Sequence, residues 1–338
     1  MVENSFDVIV IGGGAAGLSG ALTLARARRS VLVLDAGQPR NAPAEGVHGL
    51  LSRDGIAPRE LVSLGTEEVT RYGGTIRRAE AASVRRNGSG FTVRTQDGAE
   101  LTARRLLVTT GTVDELPDIP GLRERWGRDV LHCPYCHGWE ARETPIGVLA
   151  TGPLAVHQAL LFRQWSPDVV LLRHTAPSLT EQDSQQLAAR DITVVDGEVA
   201  ALRVTDDRLT GLVLASGRVV PRRALAITPR AVPLGELLAD LGLSTAQHPR
   251  GIGRHVMADP TGATAAPGVW VAGNVTDPTA QVVGAAAGGV LAAAAINADL
   301  VAEDTSRAAA LRFGPFGRMS EADNCERLLG ARRHGVNA

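Results

Sequence analysis

The chain has 338 residues and a formal net charge of -1, from 35 basic and 36 acidic groups. This length allows two domains with well-filled cores, and no block of like charge favours a nucleic-acid or membrane surface. All 35 basic residues are arginine, which excludes a Schiff-base mechanism and a P-loop lysine.

The first predicted elements form a βαβ unit. Residues 6–11 are a continuous apolar run, which is typical of a strand buried on both faces. Helical periodicity follows over residues 18–28, and a second apolar strand covers residues 30–34. A strand this close to the first residue predicts no secretory signal, and we expect a cytoplasmic protein.

The turn between this first strand and its helix fits the dinucleotide-binding pattern. Gly12 permits a tight turn, Gly14 lets the backbone approach a pyrophosphate, and Gly17 allows the helix to lie close to the sheet. Asp35 closes the unit as an acid that accepts hydrogen bonds from a ribose diol. Strand, helix and acid stand in register, so a glycine-rich turn that binds nothing is the weaker interpretation.

Further elements predict one domain inserted into another. In chain order they are a β-rich stretch at 90–101, a buried strand at 106–110 that ends in Gly111, a Pro/Gly linker at 116–121, a strand at 146–150, a helix at 154–164, a strand at 169–172, a strand and glycine turn at 268–274, and an alanine-rich helix from about 281 to 302. The longest apolar run, near 285–296, is broken by glycine and too short to span a bilayer. We predict a discontinuous dinucleotide-binding domain (residues 1–117 and 233–313), an inserted domain (118–232) and a tail (314–338).

Cys133 and Cys136 form a CxxC pair, which predicts redox chemistry or metal binding in a reducing compartment. No second pair of cysteines or histidines stands at zinc spacing, so no metal site is predicted. The pair is expected at the opening of a helix after a strand at 130–131, where the helix dipole lowers a thiol pKa. A chance CxxC in a loop is disfavoured by the nucleotide fingerprint. Cys325 in the tail is either a third redox thiol or, more commonly, an unpaired surface cysteine.

Three glycine turns, with the CxxC in the inserted domain, resemble the low-molecular-weight thioredoxin reductase family over most of residues 6–303. The resemblance implies an α/β fold with two Rossmann-like domains, the second inserted into the first, and a homodimer. It implies FAD as the cofactor of the discontinuous domain. Asn274 stands where the family usually has Asp, and Gln281 with the Val282 amide is expected to face the isoalloxazine. The expected FAD contacts are Gly12, Gly14, Ala15, Ala16, Gly17, Asp35, Ala36, Thr110, Gly111, Gly273, Asn274, Gln281 and Val282.

The second nucleotide site is degraded, which makes NADPH binding doubtful. Ala150 replaces the first glycine of its fingerprint, and Pro153 has no N–H to offer a phosphate. Arg173 and His174 stand where the family has His-Arg-Arg, so a clamp of two arginines for a 2′-phosphate is lost. No acid is present there to favour NADH. A lobe kept only to present the cysteines is the preferred interpretation.

The segment Cys-Pro-Tyr-Cys-His-Gly-Trp-Glu, which begins at Cys133, resembles the dithiol oxidase branch of this family. That branch closes disulfides in natural products such as gliotoxin and holomycin. The resemblance assigns thiol exchange with the substrate to Cys133 and electron transfer to the flavin to Cys136. His137 replaces the usual Asp, and an imidazole titrates near neutrality, so we predict that His137 takes a thiol proton. The alternative is a half-buried histidine without a catalytic role.

These features predict an FAD-dependent oxidase of a small-molecule dithiol that passes electrons to O2 and forms H2O2. The alternatives are an NADPH- or ferredoxin-dependent thioredoxin reductase and a flavin redox sensor without turnover. The expected partners are the dithiol, O2 and a second copy of the chain, with no nucleic acid and no membrane.

Overall fold

The computed structural model describes residues 4–314 and 317–329. The strands are β1 Ser5–Ile11, β2 Val31–Asp35, β3 Thr75–Arg78, β4 Ala81–Asn87, β5 Gly90–Thr95, β6 Glu100–Val108, β7 Thr112–Glu115, β8 Val130–Leu131, β9 Ile146–Leu149, β10 Val169–Leu172, β11 Thr193–Val195, β12 Val199–Thr205, β13 Arg208–Leu214, β14 Val219–Val220, β15 Ala224–Ala226, β16 Arg230–Pro233, β17 Thr245–Gln247, β18 Arg254–Val256 and β19 Val269–Val271. The helices are α1 Ala15–Arg26, α2 Pro58–Arg71, α3 Pro134–His137, α4 Ala155–Phe162, α5 Glu181–Ala188, α6 Gly235–Asp240, α7 Val282–Phe313 and α8 Arg318–Leu329, with 3-10 turns at Arg123–Arg125 and Gly273–Val275.

The first sheet has seven strands in the order β3-β2-β1-β6-β5-β4, with β19 paired to β6. The central strand β1 runs parallel to both β2 and β6. Val8, Ile9 and Val10 are fully buried in β1, as the continuous apolar run predicts for a strand covered on both faces. The carboxyl ends of β1, β2, β6 and β19 therefore meet at one edge, where parallel sheets place their ligands.

The second sheet is wholly parallel, with the strand order β11-β10-β9-β15-β8. All five strands fall in sequence between β6 and β19 of the first sheet, which confirms the predicted insertion. The chain leaves the first sheet through β7 and returns through β16, and these two connecting strands pair with each other in antiparallel fashion. Both β7 and β16 lie beside the predicted limits at 117 and 233; the limits themselves stay a prediction.

By compactness the chain forms two units, Met1–Ala293 and Ala294–Ala338. Helix α7 runs eleven residues beyond its predicted end at residue 302. Helix α8 stands in the predicted tail, where charged residues interrupt the apolar periodicity that would reveal it. Cys325 is exposed on α8, and residues 315–316 and 330–338 of the tail lie outside the described residues.

Helix α7 also corrects the expectation that no apolar segment is long enough to cross a bilayer. By length and composition alone, the helical stretch that begins at Val282 passes that test, because it contains an 18-residue window with a mean hydropathy of 1.6. Core helices of soluble proteins pass it too, so this is weak evidence for a membrane protein.

Candidate active site

The nucleotide turn after β1 has its glycines for two different reasons. Gly12 has a φ of +111°, and a Cβ there would lie 2.4 Å from the Thr109 carbonyl oxygen. A Cβ on Gly17 would lie 1.9 Å from the Gly12 carbonyl oxygen, so this residue lets α1 pack against the turn. Gly14, the residue before α1, has no atom within 4 Å of its Cβ position. The turn therefore holds itself together through Gly12 and Gly17, and Gly14 leaves open space at the helix N-terminus.

That open space suits an anion. In the part of the chain that the structure describes, no side chain caps α1, so the first N–H groups of this helix have no side-chain acceptor there. Asp35 at the end of β2 accepts a hydrogen bond from the Gly13 N–H at 3.3 Å. Thr109 supports the same turn, because its hydroxyl lies 2.8 Å from the Gly12 carbonyl oxygen and 3.1 Å from that of Ile11. Sequence reasoning missed this role of Thr109, since a strand-end threonine has no local signature.

A single cavity of about 2690 Å³ connects the nucleotide turn to the dithiol. It is larger than the roughly 300–1000 Å³ typical of a site for one small ligand, so it can hold a dinucleotide and a second molecule. Of the predicted cofactor contacts, only Gly17 does not line it, since Gly17 is buried beneath the turn. The predicted residues that line it are Gly12, Gly14, Ala15, Ala16, Asp35, Ala36, Thr110, Gly111, Cys133, Cys136, His137, Gly273, Asn274, Gln281 and Val282. The uncapped N-terminus of α1, the Asp35 carboxylate that can bind a ribose, and this cavity together fit FAD.

Asn274 organises the turn that leads into α7. Its side-chain NH2 donates to the carbonyl oxygens of Asp277 and Ala280, at 3.0 and 2.9 Å. The donor group is thus used within the turn, and the amide oxygen is the part of Asn274 that remains for a ligand. Arg40, which the sequence did not single out, reaches the same turn: it donates to the Pro278 carbonyl oxygen at 3.1 Å and pairs with Asp114 at 2.6 Å.

Cys133 is the residue before the short helix α3 and Cys136 is the third residue of that helix, which follows β8. Both are half-buried and free. The Cys136 thiol, the Gln281 side chain and the backbone N–H groups of Cys136 and Tyr135 outweigh burial and lower the pKa of Cys133 to about 6. The partner thiolate and burial raise the pKa of Cys136. Of the reduced pair, Cys133 is therefore the thiolate at neutral pH.

Gln281 brings the dithiol and the cofactor cavity together. Its side-chain nitrogen lies 3.7 Å from the Cys133 sulfur and 3.6 Å from the Cys136 sulfur. The family resemblance implies that Gln281 faces the isoalloxazine, which stays a prediction, and the structure adds that its amide contacts both sulfurs. Gln281, the residue before α7, thus stabilises negative charge on the reduced cysteine pair.

We expect iodoacetamide to alkylate Cys133 in the anaerobically reduced protein with a pH midpoint near 6, because the thiolate reacts and the thiol does not. Replacing Gln281→Leu removes a donor to the sulfur and moves this midpoint upward. Peptide mass spectrometry after timed quenching gives the rate at each cysteine. A wild-type midpoint near 8.5, the usual thiol value, would contradict the assignment.

His137 ends α3 and lies beside the dithiol in the same cavity. Both ring nitrogens are buried and have no hydrogen-bond partner within residues 4–314 and 317–329. Burial lowers the pKa of His137, opposed by the charge of Glu140 and assisted by that of His48. The imidazole is therefore neutral at pH 7 and free to accept a proton. His132, just before the pair, is more deeply buried, and burial with the charge of Arg40 lowers its pKa to about 4.

Three residues of the second nucleotide-binding region make contacts within the protein. Arg173 pairs with Asp196 at 2.5 Å, and the His174 ring accepts the Val199 N–H at 3.0 Å. Pro153 packs against the loop between β17 and β18, where the Cβ position of Gly251 lies 3.1 Å from the Pro153 ring. These contacts hold Arg173, His174 and Pro153, while Gly152 leaves open space at the turn, as Gly14 does in the first turn.

The sequence pattern of the pyridine nucleotide-disulphide oxidoreductases matches residues 6–295. The chain belongs to this family. It is therefore an oxidoreductase, and the family implies FAD as its cofactor. The fold predicted from the sequence is confirmed, because solved structures of thioredoxin reductase-like proteins superpose on it over most of their length.

Individual relatives show which members of the family this chain resembles. The chain in the crystal structure of HlmI has 50% sequence identity to this chain. The two superpose with a TM-score of 0.85 over 91% of this chain and 97% of that one. An oxidoreductase from Agrobacterium tumefaciens is 34% identical, with a TM-score of 0.83 over 88% of this chain and 99% of that one. Thioredoxin reductase sirT from Leptosphaeria maculans is 30% identical over 88% of this chain and 95% of that protein. Other curated relatives match in part: the aligned region spans 39% of a probable thioredoxin reductase from Arthroderma benhamiae and 51% of thioredoxin reductase tcpT from Claviceps purpurea.

Proposed function

We propose that this protein is an FAD-dependent dithiol oxidase, which converts a small-molecule dithiol to a disulfide and reduces O2 to H2O2. The observation that supports it best is a CxxC pair held by Gln281 at a cavity that fits FAD, beside a neutral, unpartnered His137. Bound FAD supplies the two-electron acceptor that links the dithiol to O2. The overall balance is one dithiol and one O2 giving one disulfide and one H2O2.

Substrate oxidation proceeds by two thiol–disulfide exchanges on the oxidised pair. A substrate thiolate attacks the Cys133 sulfur, forming a mixed disulfide and releasing Cys136 with its electrons. The second substrate thiolate attacks its own partner sulfur, closes the substrate disulfide and releases Cys133. Two thiol protons leave the substrate in this sequence, and His137 is placed to accept one of them.

The lowered pKa of Cys133 favours this direction in two ways. A thiol of low pKa leaves faster, so it speeds the second exchange, in which product is released. Stabilising the reduced pair also makes its disulfide a stronger oxidant, as thiolate stabilisation does in disulfide-forming enzymes. The backbone N–H groups at α3 and the Gln281 amide provide that stabilisation.

The second nucleotide turn supports an oxidase over a nicotinamide-fed reductase. Pro153 cannot donate to a phosphate and packs against Gly251, and Arg173 is paired with Asp196. A small-molecule substrate also agrees with the room left in the cavity beside a dinucleotide. The second candidate is a thioredoxin reductase, favoured by the names of sirT and tcpT. We also propose that the protein is located in the cytoplasm and forms a homodimer.

One anaerobic experiment distinguishes the dithiol oxidase from the thioredoxin reductase. The FAD-loaded protein is mixed with dithiothreitol in one cell and with NADPH in another, and the flavin absorbance is followed. The oxidase predicts bleaching by the dithiol alone, with H2O2 formed once air is admitted. Bleaching by NADPH would contradict the oxidase function and support the reductase. Bleaching by neither reagent would indicate a flavin protein without turnover.

His137→Ala is expected to lower the rate of dithiol oxidation by roughly 10²–10⁴-fold near pH 7, the usual contribution of a general base. Because the pKa of His137 is lowered, the wild-type imidazole stays neutral at pH 7 and its acid limb lies below pH 6.5. In the variant the rate should instead rise with pH, as substrate thiols ionise without help. A pH profile of kcat/KM measures both; identical profile shapes would remove His137 as the base.

A further inference from the structure

Dithiol oxidation produces protons inside a half-buried site. His137 can take one, yet its ring nitrogens are buried and have no hydrogen-bond partner among the described residues. A proton bound there must reach solvent before the next turnover. The segment around His137 therefore needs a route by which a proton leaves.

The loop of residues 47–56 lies near the dithiol. A β-bridge between Val47 and Ile56 joins its two ends. Within it, the Asp54 carboxylate accepts the Gly49 N–H at 2.9 Å and lies 3.4 Å from Nδ1 of His48. The Cβ position of Gly49 is 4.0 Å from the side-chain oxygen of Gln281, the residue that contacts both sulfurs.

His48 connects this loop to the segment that carries the dithiol. Its Nε2 lies 3.6 Å from the Glu140 carboxylate, three residues after His137, while its Nδ1 faces Asp54. The two ring nitrogens thus face two different acids. The exposed fractions of the side chains rise from 25% for His48 to 46% for Glu140 and 68% for Asp54, so each acid opens to solvent. His48 itself lines the cavity that contains both cysteines.

We propose that His48 is a proton relay, which takes the proton that His137 removes from the dithiol and releases it to solvent past Asp54 and Glu140. An imidazole can bind a proton at one ring nitrogen and release one from the other, so the proton count is unchanged across the ring. Among the described residues, the acids that face His48 are Asp54 from its own loop and Glu140 from the dithiol segment, and His137 lines the same cavity as His48. The inference rests on the proposed oxidase function and adds the path of its protons.

The test compares His48→Ala with wild type in steady-state oxidation of dithiothreitol, in a weakly buffering medium at pH 7. We expect kcat to fall about tenfold, less than the roughly 10²–10⁴-fold of a general base, because water can carry the proton more slowly. Added imidazole should restore most of the rate, and the solvent deuterium isotope effect should rise. Asp54→Asn should weaken the relay in the same direction, since Asn still accepts the Gly49 N–H but carries no charge.

His157→Ala serves as the matched control, because His157 is exposed, lines the same cavity and pairs with no acid among the contacts of the described residues. We expect its rate and isotope effect to equal those of wild type. A His48→Ala rate that is unchanged, or is slow but insensitive to imidazole and to deuterium, overturns the relay. If dithiothreitol fails to bleach the flavin of the wild-type protein, the proposed function itself fails, which is a different result.

Discussion

Replacing Gly14→Val is expected to give a folded protein that does not retain FAD. Gly14 has an extended backbone with φ of -79° and ψ of -171°, which valine adopts readily, and no atom lies within 4 Å of its Cβ position. The valine side chain would therefore project into the cavity at the N-terminus of α1 without disturbing the packing. It would block the approach of a pyrophosphate to the helix N–H groups.

The ratio of flavin to protein absorbance after purification measures this loss. The stability of Gly14→Val should be compared with wild type in the flavin-free state, because bound cofactor stabilises a protein by mass action. There we expect a difference within about 0.5 kcal/mol, as for other open positions. Gly17→Ala is the contrasting control: its Cβ would overlap the Gly12 carbonyl oxygen, so the fold itself should suffer. Full FAD occupancy in Gly14→Val would refute the assignment of this turn.

Replacing Cys136→Ser is expected to abolish bleaching of the flavin by dithiothreitol, with a loss of roughly 10³-fold or more in turnover, because the residue acts as part of a covalent unit. A serine hydroxyl can still donate to the Cys133 sulfur, so Cys133 should remain a thiolate near neutral pH. This variant should therefore capture a disulfide reagent as a stable mixed disulfide on Cys133.

Cys133→Ser provides the matched comparison. Its remaining thiol, Cys136, keeps the burial that raises its pKa, so we expect it to capture the same reagent more slowly at pH 7. Intact-protein mass spectrometry counts the adducts, and anaerobic spectra follow the flavin. Normal turnover of Cys136→Ser, or faster capture by Cys133→Ser, would reverse the roles of the two sulfurs.

The parts of this protein that the sequence predicts well are those built by neighbours in the chain. The βαβ unit, the glycine turn and the strand at 130–131 that delivers Cys133 all follow from local patterns, and the structure has them within a few residues. The end of α7 was missed because the helix continues after residue 302 on helix-forming charged and alanine residues, with an Arg307–Glu303 pair in place of apolar periodicity.

The parts that could not be predicted depend on contacts between distant segments. Gln281 reaches the two sulfurs across about 145 residues of sequence, and His48 reaches Glu140 across about 90. Neither residue stands in a motif with its partner. The burial of His137, which sets the direction of its pKa shift, likewise depends on what packs around α3. Sequence patterns name the reactive groups here, and the fold decides their protonation.

The contact between Pro153 and Gly251 also bears on protein engineering. Restoring a glycine at position 150 and replacing Pro153 would rebuild a phosphate-binding turn in sequence. The loop between β17 and β18 would still lie against that turn, and Arg173 would still be held by Asp196. On the proposed function, engineering a pyridine-nucleotide site here would therefore require remodelling of that loop as well, so loop shortening belongs in the first round of any such design.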